Sequence, residues 1–212
     1  TGDQEDGRAF VGRVKRDVLG RGYLGAMTTI SERRDRTGAA SGGVDFSLPF
    51  IVGGGDNLVF LGNAAWSRDS AGAGTGGHYR FMVDFPNDHA DIVMRFDRVD
   101  STYNPALGFV VQRGIYRWGG STAITPRPHN ATLIRRYQFN LLDYNVVWGL
   151  DRQLDNASFS VRPFGTSFQS GDQVEVNVVR RFDAPDTPFQ LVSGTVVAPG
   201  DYWWNRVELK YQ

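Results

Sequence analysis

Apolar and polar residues trade places at every second position along most of the chain, the pattern of a β-strand with one greasy and one polar face. In Asp45-Phe46-Ser47-Leu48-Pro49-Phe50 the apolar set is Phe46, Leu48 and Phe50. From His78 to Phe85, Tyr79, Phe81, Val83 and Phe85 share a side opposite His78, Arg80, Met82 and Asp84. Ile92, Met94 and Phe96 oppose Asp91, Arg95 and Asp97, and Val174, Val176 and Val178 oppose Glu175 and Asn177. Near the end, Trp203, Val207, Leu209 and Tyr211 oppose Arg206, Glu208 and Lys210. Helical periodicity is almost nowhere visible. The pattern predicts an all-β fold, an antiparallel up-and-down meander of about eleven strands. They fall near 8–16, 22–31, 43–52, 57–68, 77–85, 90–99, 111–123, 131–147, 155–168, 173–183 and 202–212.

The connections sharpen this picture. Gly53-Gly54-Gly55-Asp56, Pro86-Asn87-Asp88-His89 and Ser170-Gly171-Asp172 are short and made of residues that supply tight-turn dihedrals. Longer ones are expected at 32–42, 69–76, 100–110, 148–154 and 184–201. Short and long alternate, so a meander places the long ones at one end, the asymmetry of an outer-membrane barrel. About eleven strands in 212 residues is roughly one per 19, against turn signals every 8–12 residues or so in a soluble sandwich. Trp203 to Tyr211 spans eight steps, or roughly 27 Å of extended chain. Aromatics at both ends of such a face suit an interfacial girdle, which Trp66, Tyr116, Trp118, Tyr137 and Trp148 could join. The expectation is a transmembrane β-barrel segment: an incomplete barrel or a strongly curled sheet.

Two features resist. The clean alternation of 79–85 is shorter than a crossing and must extend through Gly77 and Pro86. Pro163 sits inside a predicted strand, and the apolar phase flips there from Phe159 and Val161 to Phe164 and Phe168, which calls for a bulge.

Composition excludes more than it adds. Lys and Arg number 23, as do Asp and Glu, for a net charge of zero; this argues against a nucleic-acid partner. Without cysteine, disulfides, thiol nucleophiles and Cys-based zinc sites are impossible. No apolar stretch is long enough for a membrane-spanning helix, which leaves barrel strands untouched. The chain starts at Thr1 without a leader and is expected to be a piece excised from a longer protein.

Four segments, Phe10 to Asp17, Asn104 to Val110, Phe168 to Asp172 and Ala198 to Tyr202, together resemble an uncharacterised bacterial outer-membrane β-barrel domain. That domain lies C-terminal to a carbohydrate-binding family 9-like module. The resemblance spans nearly the whole chain, in matching order. It implies a bacterial outer-membrane location, lipid as the partner of the strand wall, and a glycan reached through an upstream module. It also implies further strands after Gln212 and supplies no catalytic residues.

Candidate chemistry is sparse. Arg13, Lys15, Arg80, Asp84, Arg95, Asp97, Arg117, Glu175 and Arg181 fall on polar faces and in a barrel would face the lumen. There they would either set selectivity or form a stiffening charge network. Cross-strand pairs Arg80–Asp97 and Asp84–Arg95 are expected. The loop Asn104-Pro105-Ala106-Leu107-Gly108-Phe109 either folds inward to constrict a pore or meet a partner, or is a turn at Pro105 and Gly108 with Leu107 and Phe109 as local packing. His78, His89 and His129 lack metal-ligand spacing. Gly72-Ala73-Gly74-Thr75-Gly76-Gly77 leads into a strand, not the helix a phosphate loop opens, and is expected to be a flexible loop. Asp183-Ala184-Pro185-Asp186 and Asp151 to Asp155 lack calcium-site spacing. Asn130-Ala131-Thr132 matches a glycosylation acceptor that a bacterial location makes irrelevant. No cofactor or metal site is expected. Two rivals stand beside the barrel. A soluble carbohydrate-binding β-sandwich would bury Phe81, Val83, Ile92, Phe96, Val176 and Val178, and a glycan-acting hydrolase would use Asp84, Asp97 or Glu175.

Overall fold

The computed structural model describes residues 7–33, 36–69, 74–129, 132–192 and 194–212. Among these the chain forms strands and no helix. They are β1 (Gly7–Val18), β2 (Gly22–Arg33), β3 (Arg36–Val52), β4 (Asp56–Asp69), β5 (Gly74–Pro86), β6 (Asp91–Val99) and β7 (Ile115–Ile124). There follow β8 (Ile134–Tyr137), β9 (Phe139–Gly149), β10 (Leu154–Phe168), β11 (Gln173–Asp183), β12 (Phe189–Val192), β13 (Thr195–Val197) and β14 (Tyr202–Tyr211). The sheet runs β1-β2-β3-β4-β5-β6-β7-β9-β10-β11-β14, with β8 also on β10 to make twelve strands. β12 and β13 form a separate hairpin. The antiparallel meander is therefore present. Among the described residues, β1 and β14 end its hydrogen-bonded path.

Several boundaries differ from the expected ones. The long connections at 32–42 and 69–76 shrink, because β2 reaches Arg33, β3 starts at Arg36, β4 reaches Asp69 and β5 starts at Gly74. These strand ends are Gly-, Ala- and Ser-rich, yet Ser41 pairs with Ser67 and Ser67 with Gly76 in register. Backbone groups pair whether or not their side chains alternate. Gly74–Gly77 is thus strand, not loop, while Gly72 and Ala73 lie outside the described residues. So do Asn130 and Ala131 of the glycosylation match. The strand expected at 111–123 begins only at Ile115, and the one at 131–147 breaks at Gln138, whose N–H donates to Gly165 O at 2.8 Å. The region 148–154 is a tight turn, and 184–201 holds the β12–β13 hairpin. The Gly53-Gly54-Gly55 turn has φ of 52°, 95° and 136°, a left-handed run that side chains would strain.

The phase flip at Pro163 has its cause. Val161 pairs with Val178 but Phe164 with Val176, three steps on β10 against two on β11. This one-residue bulge places Pro163 where no ladder donor is needed and keeps Phe159, Val161 and Phe164 on one face.

The chain divides into two compact units, Thr1–Asp84 with Arg95–Tyr116, and Phe85–Met94 with Arg117–Gln212. In the first, the register aligns Val14, Ala26, Val44, Ala64 and Tyr79 in one row, and Leu24, Phe46, Gly62 and Phe81 in the next. Between the row of Phe10 and Ala40 and that of Phe50 and Leu58, only Arg16 and Arg68 are charged on this face. Phe50, Phe60 and Phe81 form a chain of ring contacts along it, and Trp66 meets Tyr79 edge-on. On this face Val44 is 52% and Phe81 46% exposed. The opposite face carries Arg13, Lys15, Asp45, Asn63, Ser67, His78, Arg80 and Asp84.

In the second unit, Val146, Ala157 and Phe182 are buried against Tyr144, Trp148, Leu154, Phe159 and Ala184. Phe182 also packs on Trp203 at 4.9 Å between ring centres. Large rings here cover small neighbours on one sheet face. Further along the same face Val178 is exposed, and Leu209 is 78% exposed. Of the residues a sandwich would bury together, Phe81 and Val178 are exposed, while Val83, Ile92, Phe96 and Val176 are half-buried.

Candidate functional site

The most enclosed positions of the first unit lie on its polar side. Asp97, on β6, is 1% exposed and Ser67, on β4, 2%; Val99, Tyr103 and Ile115 are buried with them. A buried carboxylate is stable only if paired. Arg80 Nε–H donates to Asp97 Oδ1, the cross-strand pair the alternation predicts. Arg95, on the same strand, has its Nε 3.2 Å from Asp97 Oδ2, a charge contact without hydrogen-bond geometry. His78 Nε2 is 3.4 Å from Oδ1. One carboxylate thus gathers two guanidinium groups and an imidazole.

Over this face lies the connection after β6. Asp100 N–H donates to Gly77 O, and Gly77 N–H returns a bond to Asp100 Oδ2, each at 2.9 Å. Thr102 Oγ1 donates to Thr75 O at 2.9 Å, Asn104 N–H to Ser67 Oγ at 2.7 Å, and Ala106 N–H to Ser41 Oγ at 2.8 Å. The segment therefore crosses β5, β4 and β3 in turn, as a strap. Gly76 makes the crossing possible. A Cβ there would stand 2.2 Å from Tyr103 N and 2.5 Å from Thr102 C. Burial pushes the Tyr103 phenol up.

Of the four loop candidates, Asn104 is fixed at both ends, its side-chain oxygen accepting from Arg113 Nη2 at 2.6 Å. Pro105 and Gly108 close a turn, Gly108 N–H donating to Pro105 O at 3.4 Å. Phe109 does not pack locally as the turn reading required; it is among the most exposed apolar residues, as is Val111.

The remaining polar-face candidates form pairs. Arg13 grips Asp45 with Nη2 at 3.2 and 2.8 Å from its two oxygens. They meet across β2 because Gly25 lies between them; a Cβ there would sit 2.6 Å from Asp45 Oδ1. Lys15 Nζ sits 4.2 Å above the Tyr23 ring, and Asp84 pairs in register with Val59 on β4. In the second unit, Arg117 has the opposite parity to Gly120, whose Cβ would meet Tyr144, so it lies away from the apolar cluster. Glu175 and Arg181 share the polar side of β11. Glu175 binds Arg162 at 3.1 Å, and Arg181 stacks on Trp204 at 5.3 Å. Asp97 and Glu175, two of the acids a hydrolase would need, are thus both held by guanidinium groups. Among the described residues no three His, Asp or Glu side chains cluster to hold a metal.

Sequence reasoning missed His78, Gly76, Ser41, Ser67, Asp45 and Arg162 as parts of these networks. Parity could have found His78, Asp45 and Ser67, which share the face of Arg80. Nothing in the sequence announces that Gly76 seats a loop from the far side of β6.

No family model, curated protein or solved structure matches the chain. The likeness to the outer-membrane barrel domain therefore rests on the four quoted segments alone.

Proposed function

We propose that this chain is part of the wall of a bacterial outer-membrane β-barrel, serving as anchor or channel rather than as an enzyme. The observation that carries the reading is the exposed apolar face of β1–β5. From Ala40 to Phe50 it runs ten steps along β3, about 33 Å of strand. At a tilt near 40° that corresponds to roughly 25 Å of height, the span of a barrel's apolar band. In water, so wide an uncovered apolar face would favour aggregation; hydrocarbon removes that cost. The polar side, with its buried Asp97 cluster, is then the lumen, and the strap over β3–β5 narrows it. The reading requires strands that pair the outer edges of β1 and β14, since open edges do not persist in hydrocarbon. On the resemblance, the wall would anchor a fused glycan-binding-like module.

Fractionation of the full-length protein tests this. The expected result is a urea-resistant outer-membrane pellet whose unboiled band runs compactly on a gel and shifts on heating. Recovery in the soluble fraction with no heat-modifiable band would refute it.

A further inference from the structure

The strap does not lie flush on the sheet. Between it and the polar sides of β2, β3 and β4 is a cavity of about 250 Å³, contained wholly within the first unit. Its apolar lining includes Met27, Ala65, Pro105 and Leu107; Thr29, Ser41, Asn63 and Tyr103 supply its neutral polar groups. Arg13 and Asp45 also reach it, but they neutralise each other through two hydrogen bonds. Tyr103, 7% exposed, is the most buried of the lining residues.

We infer that this cavity is a binding site for a small uncharged ring compound bearing a hydroxyl group. The size fits, because an apolar cavity of about 150 Å³ accepts benzene, and the remainder admits a substituent. The lining fits, being mostly apolar with a few convergent polar groups. The absence of a free charge disfavours an ion. The ligand's hydroxyl would meet the Tyr103 hydroxyl and the Asn63 amide while its ring lies against Met27, Ala65 and Leu107. The site exists whether or not the opposite sheet face meets lipid.

The probe is 4-[3-(trifluoromethyl)diazirin-3-yl]benzyl alcohol, applied to the full-length protein in detergent, with adducts mapped by mass spectrometry. Adducts on Met27, Pro105 or Leu107 should disappear when excess benzyl alcohol is present, and should persist under equal benzoate or glucose. Ala65→Leu, which fills the cavity, should abolish them, while Ala26→Leu on the other face should not. Tyr103→Phe should raise the benzyl alcohol concentration needed for competition roughly fivefold, the effect of one hydrogen bond. Adducts there that benzyl alcohol does not displace, or none there at all, would overturn the inference. Competition by benzoate or glucose as strong as by benzyl alcohol would overturn the ligand class. The wild-type competition decides these outcomes even if a variant misfolds.

Discussion

On one side of β1–β6, Val44 and Phe81 stand about half exposed; on the other, Asp97 and Ser67 are almost sealed. Burial of polar groups beside exposed large apolar ones is the less common arrangement in water. The polar side is closed by ion pairs, hydrogen bonds and a strap seated on glycine, none of which requires an apolar solvent. Among the described residues of the first unit, nothing closes the apolar side. On the proposed reading the two faces owe their stability to different media, and each can be attacked separately.

The largest effect should come from the apolar side. Val44→Arg places a guanidinium near the middle of the proposed band and should destabilise the protein in lipid vesicles by about 2–4 kcal/mol. In a water-facing protein the same exposed substitution would move stability by no more than about 0.5 kcal/mol. Urea titration in vesicles separates the two. Next comes Asp97→Asn, which leaves Arg80 and Arg95 without their shared counter-charge. Removing one partner of a buried pair costs about 3–5 kcal/mol. Because both arginines are more than a third exposed, solvent screening lowers the expectation to about 2 kcal/mol.

Gly76→Ala should act on the strap with little effect on the wall. Its methyl group overlaps the Thr102–Tyr103 backbone, an overpacking cost of about 1–3 kcal/mol that lifting the strap relieves. The measurement is limited proteolysis between 104 and 113, where cleavage should accelerate while the heat-modifiable band persists. The smallest effect belongs to Arg13→Gln. The Arg13–Asp45 pair is partly exposed, so its loss should cost under about 1 kcal/mol and less at high salt.

The wall was legible in the sequence because each face repeats every second residue: Phe46, Leu48 and Phe50, or Tyr79, Phe81 and Val83, declare both strand and side. The Pro163 bulge was legible for the same reason, as a break in that period. The strand ends at 36–42 and 74–77 were not, because Gly, Ala and Ser carry no alternation, and the ladder they join is made by backbone groups. The strap was visible as a loop, but its landing on Ser41, Ser67 and Gly76 depends on contacts across 27 to 65 residues of chain. No local pattern encodes such distances. Phe109 misled, since an aromatic in a turn suggests packing and here it is bare.

The chain has no cysteine, so single-cysteine variants at positions 42 to 48 of β3 can each carry one nitroxide. Reconstituted in bilayers, labels at 42, 44, 46 and 48 should relax with oxygen, which concentrates in hydrocarbon. Labels at 43, 45 and 47 should relax with a water-soluble nickel chelate or be shielded from both agents. Labels at 44 and 46 that answer to the nickel chelate, or to neither agent, would mean that no lipid touches that face and would contradict the account.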